Sequence, residues 1–307
     1  MLRARASLLR RIREFFDQRD VLEVETPLLC SSGITDPSIE PLVVESGASL
    51  SAPRYLQTSP EYAMKRLLSA DSGSIFQIAR AFRDGEAGSR HNPEFSLLEW
   101  YQTGYDHHQL MVEAADLVVH CLGPRPVEYF SYRQLFLQLL SIDPFTSSVT
   151  ELRERACDEI DVGTVSGDRD LWLDLLMSHL IEPQLRDRGL SFIYDYPASQ
   201  AALSRIVKVD DFAVGQRFEF YVDGIELANG YCELTDAAEQ RQRFIADNAR
   251  RREFGLPERP LDEYLLAAME AGLPDCAGVA LGIDRLLMLA TGADDIRQVL
   301  AFDWQRS

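Results

Sequence analysis

The chain has 307 residues, of which 46% are hydrophobic and 26% are charged, the composition of a globular protein rather than a disordered or fibrous one. Its 49 acidic and 31 basic side chains give a net charge of −18, which disfavours broad binding to a nucleic-acid backbone. The five cysteines form no CxxC pair, so we expect a reducing cytoplasm and neither a thiolate metal site nor a disulfide framework. No apolar run approaches the roughly 20 residues that cross a bilayer, so we expect no membrane association.

An amphipathic helix is predicted at the start of the chain, because Leu8, Ile12 and Phe15 recur at helical spacing. Residues 21–26 mix branched and acidic side chains in alternation, which predicts a short strand. A second helix is expected over residues 60–70, because it opens with a proline and carries apolar residues on one side.

Two strands joined by a long polar loop are predicted next. Residues 75–83 alternate in polarity, and residues 95–101 form a second strand rich in apolar side chains. Loops as long as 84–94 are often functional in compact domains. We therefore expect an antiparallel hairpin with a functional connection.

A helical insertion is expected at about residues 109–188, where helical patterns dominate. Strand patterns return over 192–196 and 217–234, and the second of these should turn at Asp223-Gly224, a strong hairpin dipeptide. The chain then continues into a long charged helix, which we expect Thr235 to cap.

A strand over residues 279–281 and a helix over 283–291 are predicted near the C-terminus, separated by Gly282. Arg285 in the first turn of that helix would aim a guanidinium at any ligand near the strand end. The alternative is an ordinary packed corner between a strand and a helix.

The hairpin loop combines Arg83, Arg90, His91 and Asn92, which is typical of an anion-binding pocket because guanidinium groups match phosphate oxygens in pairs. On composition alone, a solvated turn of mixed charge is the alternative.

Glu226 and Glu233 suit a magnesium ion that bridges protein and phosphates. In a continuous strand, seven residues of separation would point them to opposite faces, so we expect a bend at Asn229-Gly230 to bring them together. Two exposed acids at a strand edge are the alternative.

Two other polar clusters have an ordinary interpretation. His107 and His108 are adjacent and cannot share one helix face, so we interpret them as solvated residues rather than metal ligands. We interpret residues 250–252, three consecutive arginines, as a solvated helix face, or else as a docking patch for an acidic protein.

Five runs in order resemble a known family. Residues 19–27, 82–95 and 278–286 resemble motifs 1, 2 and 3 of the class II aminoacyl-tRNA synthetases, and residues 56–61 and 226–230 resemble the lysyl-tRNA synthetases. Motif 1 begins within the first twenty residues, which leaves no room ahead of it for an anticodon-binding OB-fold. A free-standing synthetase core of this kind resembles the elongation factor P (R)-β-lysine ligases.

The resemblance implies an α+β fold: a class II synthetase catalytic domain with an antiparallel sheet flanked by helices. It implies one domain over residues 1–307 with the helical insertion, and a homodimer built on motif 1. The implied reaction activates (R)-β-lysine or lysine with ATP and Mg²⁺, then transfers it to a lysine of elongation factor P, without anticodon-dependent tRNA binding. The alternatives are a tRNA-independent activator of another amino acid and a non-catalytic regulatory paralogue.

For the nucleotide, the resemblance assigns Arg83 to the α-phosphate and Arg285 to the γ-phosphate, with Glu226 and Glu233 near Mg²⁺. It assigns Phe95 to stacking on the adenine. The remaining ATP-binding residues are expected to be Asp84, Gly85, His91, Asn92, Leu227 and Gly282. Family members usually carry an acid two residues after the motif 2 arginine, whereas this chain has Gly85 there and an acid one residue later, at Glu86. Either the loop shifts by one residue and Glu86 substitutes, or adenine recognition is altered.

For the amino acid, the resemblance implies acids and an aromatic around two ammonium groups. The expected substrate-binding residues are Ser59, Pro60, Glu61, Glu99, Tyr101, Asn229, Glu233 and Ala280. Lysyl-tRNA synthetases usually have glycine at the place of Ala280, so its methyl group is expected to favour β-lysine over α-lysine.

Overall fold

The computed structural model describes residues 1–45, 47, 51–163, 165 and 167–307, so residues 164 and 166 of the predicted insertion lie outside the described residues. Its α-helices are α1 (Leu2–Asp17), α2 (Glu61–Ser69), α3 (His107–Leu122), α4 (Tyr132–Leu140), α5 (Val149–Glu159), α6 (Arg169–Leu176), α7 (Ala237–Glu253), α8 (Glu263–Gly272) and α9 (Ile283–Thr291). Short helical segments of other types are Met177–Ile181 (a π-helix) and Glu182–Leu185, Ala198–Gln200 and Ile296–Gln298 (3₁₀).

The strands are β1 (Leu22–Glu23), β2 (Leu29–Cys30), β3 (Val43–Val44), β4 (Arg54–Leu56), β5 (Ile75–Phe82), β6 (Glu94–Thr103), β7 (Val127–Ser131), β8 (Leu190–Pro197), β9 (Ile206–Val209), β10 (Phe212–Val222), β11 (Ile225–Cys232) and β12 (Cys276–Gly282). The chain folds as two compact units. One comprises Met1–Tyr105, His120–Gly123 and Thr235–Ser307, and the other comprises Asp106–Val119 and Pro124–Leu234.

The first unit contains a sheet in the order β1-β5-β6-β12, in which β1 and β5 are parallel and the other pairs antiparallel. A smaller antiparallel sheet has the order β2-β4-β3. Helix α1 covers one face of the larger sheet, because its Phe16 ring stacks on Phe76 at 4.4 Å and meets Trp100 edge-on at 5.4 Å. The core therefore lies between α1 and that face, and the other face is left for the residues described below.

The second unit contains strands in the order β11-β10-β8-β7, with β9 paired to β10. Strands β10 and β11 form the predicted hairpin, and Asp223 and Gly224 have φ values of 49° and 76°, as a tight turn of the right twist requires. Helices α4 to α6 pack on this unit through buried residues that include Tyr132, Phe136, Trp172 and Leu176.

The predicted fold class is confirmed: a largely antiparallel sheet flanked by helices. The predicted hairpin of β5 and β6 is also confirmed, and helix 60–70 appears as α2. The cap of α7 was assigned wrongly, because Asp236 rather than Thr235 accepts the hydrogen bond, from Glu239 N–H at 2.9 Å. The insertion contains the helices expected, together with strand β7, which pairs in parallel with β8.

The expectation of one domain over residues 1–307 stays a prediction. Across the described part of the chain, no helix combines the length and the apolar character that crossing a membrane requires.

Candidate active site

Three positions form a row across the sheet of the first unit. Glu99 on β6 lies directly opposite Gln77 on β5 and Ala280 on β12. Because side chains alternate along a strand, Tyr101 shares the face of Glu99, whereas Trp100 points to α1. The predicted substrate acid thus has Ala280 beside it, and Gln77 is a neighbour that the sequence patterns do not indicate.

Glu99 is a buried carboxylate with two hydroxyl donors. It is 2% exposed, and Tyr101 OH donates to Oε1 while Ser59 Oγ donates to Oε2, each at 2.6 Å. Burial, and then the charge of Glu61, raise the pKa of Glu99 from 4.5 to about 7, against the lowering effects of the two hydroxyls and Lys65. A buried acid of this kind is well suited to a cationic ligand.

Glu61 begins α2 and is paired within that helix. Its backbone N–H donates to Ser59 Oγ at 3.1 Å, across Pro60 at the helix N-cap. Its carboxylate accepts from Lys65 Nζ one turn later, and Lys65 is 2% exposed. Lys65 is a further site residue, and its spacing of four from Glu61 is the sequence signal for it.

Arg83 directly follows β5 and lies against an aromatic ring. Its guanidinium carbon is 5.2 Å from the centroid of Phe95, and Nη1 is 3.6 Å from Glu86 Oε1. Its buried Nε finds no hydrogen-bond acceptor among the described residues. A buried donor of this kind can serve an anionic ligand. Arg83 pairs with Glu86, one residue beyond Gly85, where family members usually carry the acid.

The guanidinium of Arg285 meets the motif 2 loop at His91. Arg285 Nη2 donates to His91 Nε2 at 2.6 Å. Partial desolvation, and then the positive charge of Arg285, lower the pKa of His91, so the neutral ring can accept that hydrogen bond. The positive charge of Arg83 lowers the pKa of His91 further, although less than that of Arg285.

Gly282 ends β12 beside Arg285. Its φ of −73° suits any residue, and an added Cβ would meet nothing closer than the Arg285 side chain at 3.7 Å. Neither backbone strain nor crowding among the described residues requires glycine there. The glycine leaves space next to the Arg285 side chain, which fits a ligand that approaches closely.

Asp84, Gly85 and Asn92 shape the motif 2 loop. Gly85 has φ +76°, and its N–H donates to Asp84 Oδ1 at 2.9 Å. Asn92 is buried, donates from Nδ2 to Glu94 O at 2.6 Å and accepts from Trp304 N–H at 3.0 Å. Its side chain therefore ties the loop to the C-terminal segment.

A β-bulge in β11 of the second unit puts the predicted acids Glu226 and Glu233 on one face. Tyr221 lies opposite Glu226 and Phe220 opposite Ala228, so Leu227 is an extra residue without a partner position in β10. The extra residue reverses the alternation and turns Glu226 to the same face as Asn229. Glu233, bridged to Ser204, continues that face. The position predicted for the bend, Asn229-Gly230, was wrong, because the β-bulge lies earlier in the strand, at Leu227.

Asn229 is held by its neighbours on that face. Its Nδ2 donates to Tyr231 OH at 3.0 Å, and its Oδ1 accepts from Arg217 Nε at 3.3 Å. Arg217 also donates to Glu219 Oε1 at 2.5 Å and to Gln200 O at 2.7 Å. Arg217 is a supporting residue that the sequence patterns do not indicate, because its contacts depend on the register of β10 and β11.

Glu226 and Glu233 fit a magnesium ion in donor chemistry. Carboxylate oxygens are hard ligands, and Mg²⁺ commonly takes one or two of them and fills its other positions with phosphate oxygens and water. The bulge that puts both acids on one face supplies the geometric condition that the sequence pattern lacked.

Two ordinary interpretations were only partly right, because His108, Arg250 and Arg252 are exposed as expected but one residue of each run is not. His107 is 2% exposed, with Nε2 3.3 Å from Asp195 Oδ1, rather than solvated. Arg251, in the middle of the arginine run, is fully buried and paired with Glu40. Each partner is far away in sequence, so composition alone does not indicate it.

The predicted residues thus form two sets. The first unit contains Ser59, Pro60, Glu61, Arg83, Asp84, Gly85, His91, Asn92, Phe95, Glu99, Tyr101, Ala280, Gly282 and Arg285. The second unit carries Glu226, Leu227, Asn229 and Glu233. That the two sets share one ligand stays a prediction.

The antiparallel sheet, the loop with Arg83 and the helix start with Arg285 are those of a class II synthetase core. The family model for tRNA synthetases class II (D, K and N) matches residues 1–306, and the chain belongs to this family. Curated relatives include proteins named elongation factor P–(R)-beta-lysine ligase in Salmonella typhi and Salmonella dublin, each 49% identical over 99% of this chain and 94% of the relative. The protein of that name in Salmonella heidelberg is 48% identical with the same coverage.

Proposed function

We propose that the chain is an ATP-dependent ligase that activates (R)-β-lysine or lysine as an aminoacyl-adenylate and transfers it to a lysine side chain of elongation factor P. Relatives of that name align with nearly the whole chain. The observation that carries the substrate class is Glu99, a buried carboxylate between Ser59 and Tyr101. A doubly cationic amino acid supplies the positive charge that buried acids need.

In the first step, a carboxylate oxygen of the amino acid attacks the α-phosphorus of ATP, and the bond to pyrophosphate breaks. Both reactants are anions, so catalysis consists mainly of charge neutralisation and alignment. Arg83 serves the α-phosphate and Arg285 the γ-phosphate. Phe95, already in contact with the Arg83 guanidinium, offers a face for the adenine.

Glu226 and Glu233 would hold Mg²⁺, which neutralises charge on the phosphates when bound. The chain's own contribution is the shared face of the two acids and the fixed amide of Asn229. Glu61, Glu99 and Glu233 would surround the ammonium groups, with Ala280 limiting the space beside Glu99.

In the second step, a neutral lysine amine of the acceptor attacks the activated carbonyl. A C–N bond forms, the bond from the carbonyl to the AMP phosphate breaks, and the amine loses its proton. The product is an amide on elongation factor P, together with AMP.

We propose that the enzyme works in the cytoplasm as a homodimer, without anticodon-dependent tRNA binding. Apolar side chains near motif 1 support a dimer interface there, since Leu22 on β1 and Leu29 on β2 are 55% and 43% exposed.

The proposal is tested by pyrophosphate exchange with (R)-β-lysine, α-lysine and the neutral analogue norleucine. We expect exchange with the two lysines and little with norleucine. Arg83→Met should abolish it, whereas Arg80→Met, on the preceding strand with its side chain 47% exposed, should not. Exchange with neither lysine, or a preference for norleucine, contradicts the proposal.

A further inference from the structure

Arg251 on α7 is a fully buried guanidinium outside the predicted site. Its Nε donates to Pro257 O at 2.8 Å, its Nη1 to Asp36 O at 3.1 Å and its Nη2 to Glu40 Oε2 at 2.5 Å. Because each nitrogen has a different acceptor, the side chain is fixed in a single orientation.

Glu40 is held by both carboxylate oxygens. Arg259, which is 9% exposed, donates to Oε1 while Arg251 takes Oε2. A second link joins the same segment to α7, where Thr35 Oγ1 donates to Asp247 Oδ2 at 2.9 Å. The stretch that carries Glu40 is therefore fixed to the helix by side-chain contacts.

The backbone of Glu40 meets the start of the motif 2 loop. Asp84 N–H donates to Glu40 O at 2.8 Å. Next to it, Arg83 N–H donates to Pro93 O at 2.9 Å. The backbone at Arg83 and Asp84 is thus held by two hydrogen bonds. One crosses the loop to Pro93, and the other reaches the segment that Arg251 fixes.

We propose that Arg251, acting through Glu40, is a positioning residue for the motif 2 loop, which would bind the nucleotide. Arg251 holds the Glu40 carbonyl at the position where it accepts the hydrogen bond from Asp84 N–H. It thereby also fixes the position of the adjacent Arg83 guanidinium. The naming of ATP as the ligand rests on the proposed function. A small displacement of a positioned group can cost up to about 100-fold in rate, and the second partner of Glu40, Arg259, should limit the loss.

The test compares Arg251→Lys with Arg252→Lys, the next residue on the same helix, whose side chain is 67% exposed. A lysine ammonium carries its donors on a single nitrogen and cannot replace three guanidinium nitrogens that face three separate acceptors. Arg251→Lys should therefore weaken the binding of a non-hydrolysable ATP analogue with Mg²⁺ about tenfold, as measured by calorimetry without amino acid. In pyrophosphate exchange, the KM for ATP should rise by a similar factor while the KM for lysine stays within about twofold. Arg252→Lys should change neither value.

A purely structural role predicts a different pattern. If Arg251→Lys lowers the melting temperature but leaves ATP affinity unchanged, or weakens ATP and lysine equally, the proposal is wrong. If that variant does not fold, Glu40→Asp, which keeps the charge and shortens its reach, should show the selective loss for ATP, and its absence overturns the proposal. Wild-type protein that binds ATP but exchanges with no lysine contradicts the proposed function alone, and wild-type protein that binds no ATP contradicts both.

Discussion

Ala280 lies directly opposite Glu99 where β12 pairs with β6, so one methyl group occupies the sheet position beside a buried carboxylate. The neighbouring strand therefore limits the space around the group that should bind an ammonium ion. A cavity that differs by one methyl group can separate substrates by about 10- to 200-fold.

Replacing Ala280 with glycine should shift preference toward α-lysine. We expect the ratio of kcat/KM for α-lysine over (R)-β-lysine to rise about tenfold, because the pocket gains the volume of a methyl group. Ala277→Gly is the matched control, since Ala277 is buried on the opposite face of the same strand. Glycine should cost each variant about 1 kcal/mol of stability. The idea is wrong if the ratio is unchanged in Ala280→Gly or shifts equally in both.

Glu99 should give amino-acid binding a pH dependence centred near neutrality. Because its pKa is raised to about 7, the side chain is protonated at lower pH and loses its attraction for an ammonium group. The KM for lysine should therefore rise by up to about tenfold per pH unit below about pH 7 and level off above it. In Glu99→Gln, KM should be high and flat with pH. The same slope in both proteins would assign the titration to another group.

The raised pKa of Glu99 should affect folding stability in the opposite direction to amino-acid binding. The folded protein holds a proton on Glu99 at pH values where the unfolded chain has released it, between 4.5 and about 7. The contribution of this residue to the free energy of unfolding should therefore decrease as pH rises through that window, and Glu99→Gln should remove the decrease. Urea unfolding at several pH values measures it.

Gly282 should matter to the nucleotide and little to the fold. Among the described residues, the atoms nearest to an added Cβ belong to the Arg285 side chain, at 3.7 Å or more, so Gly282→Ala should leave the melting temperature unchanged or slightly higher. We expect the KM for ATP to rise about tenfold, because the methyl group occupies the space left for the ligand. Normal ATP kinetics in a stable Gly282→Ala protein would remove this residue from the nucleotide site.

Gly224 should matter to the fold and little to the substrates. It has φ +76°, and a Cβ there would lie 2.9 Å from Arg186 Cγ and 3.2 Å from Glu182 O. Gly224→Ala should lower the free energy of unfolding by about 2 kcal/mol or more, through backbone strain and crowding. Gly255 also has a positive φ, +72°, but no described atom lies within 4 Å of an added Cβ. Gly255→Ala should therefore lower the free energy of unfolding by only about 1 kcal/mol. Equal losses in the two variants would show that crowding at Gly224 is relieved at no cost.

Strand and turn positions follow closely from the sequence where the pattern is local. The alternation of residues 75–83 predicts β5 to within one residue, and Asp223-Gly224 marks the β10–β11 turn because few residues accept positive φ. The bulge at Leu227 is not a local pattern. It depends on how β11 pairs with β10, so the sequence indicates the need for an irregularity but not its place.

Buried charges are the other features that sequence patterns do not reveal. Three consecutive arginines are indistinguishable in a helical pattern, and only the fold brings Glu40, 211 residues away, to the middle one. His107 finds Asp195 in the same way, across 88 residues. In contrast, the two arginines predicted to bind phosphate are indicated by their motifs, and Arg285 contacts His91 in the motif 2 loop.

The most direct test of the account is mass spectrometry of elongation factor P after incubation with the protein, ATP, Mg²⁺ and (R)-β-lysine. We predict that one lysine side chain gains the mass of one lysine residue, only when ATP is present and not with the Arg83→Met variant. An unmodified factor, or full modification by Arg83→Met, would contradict it.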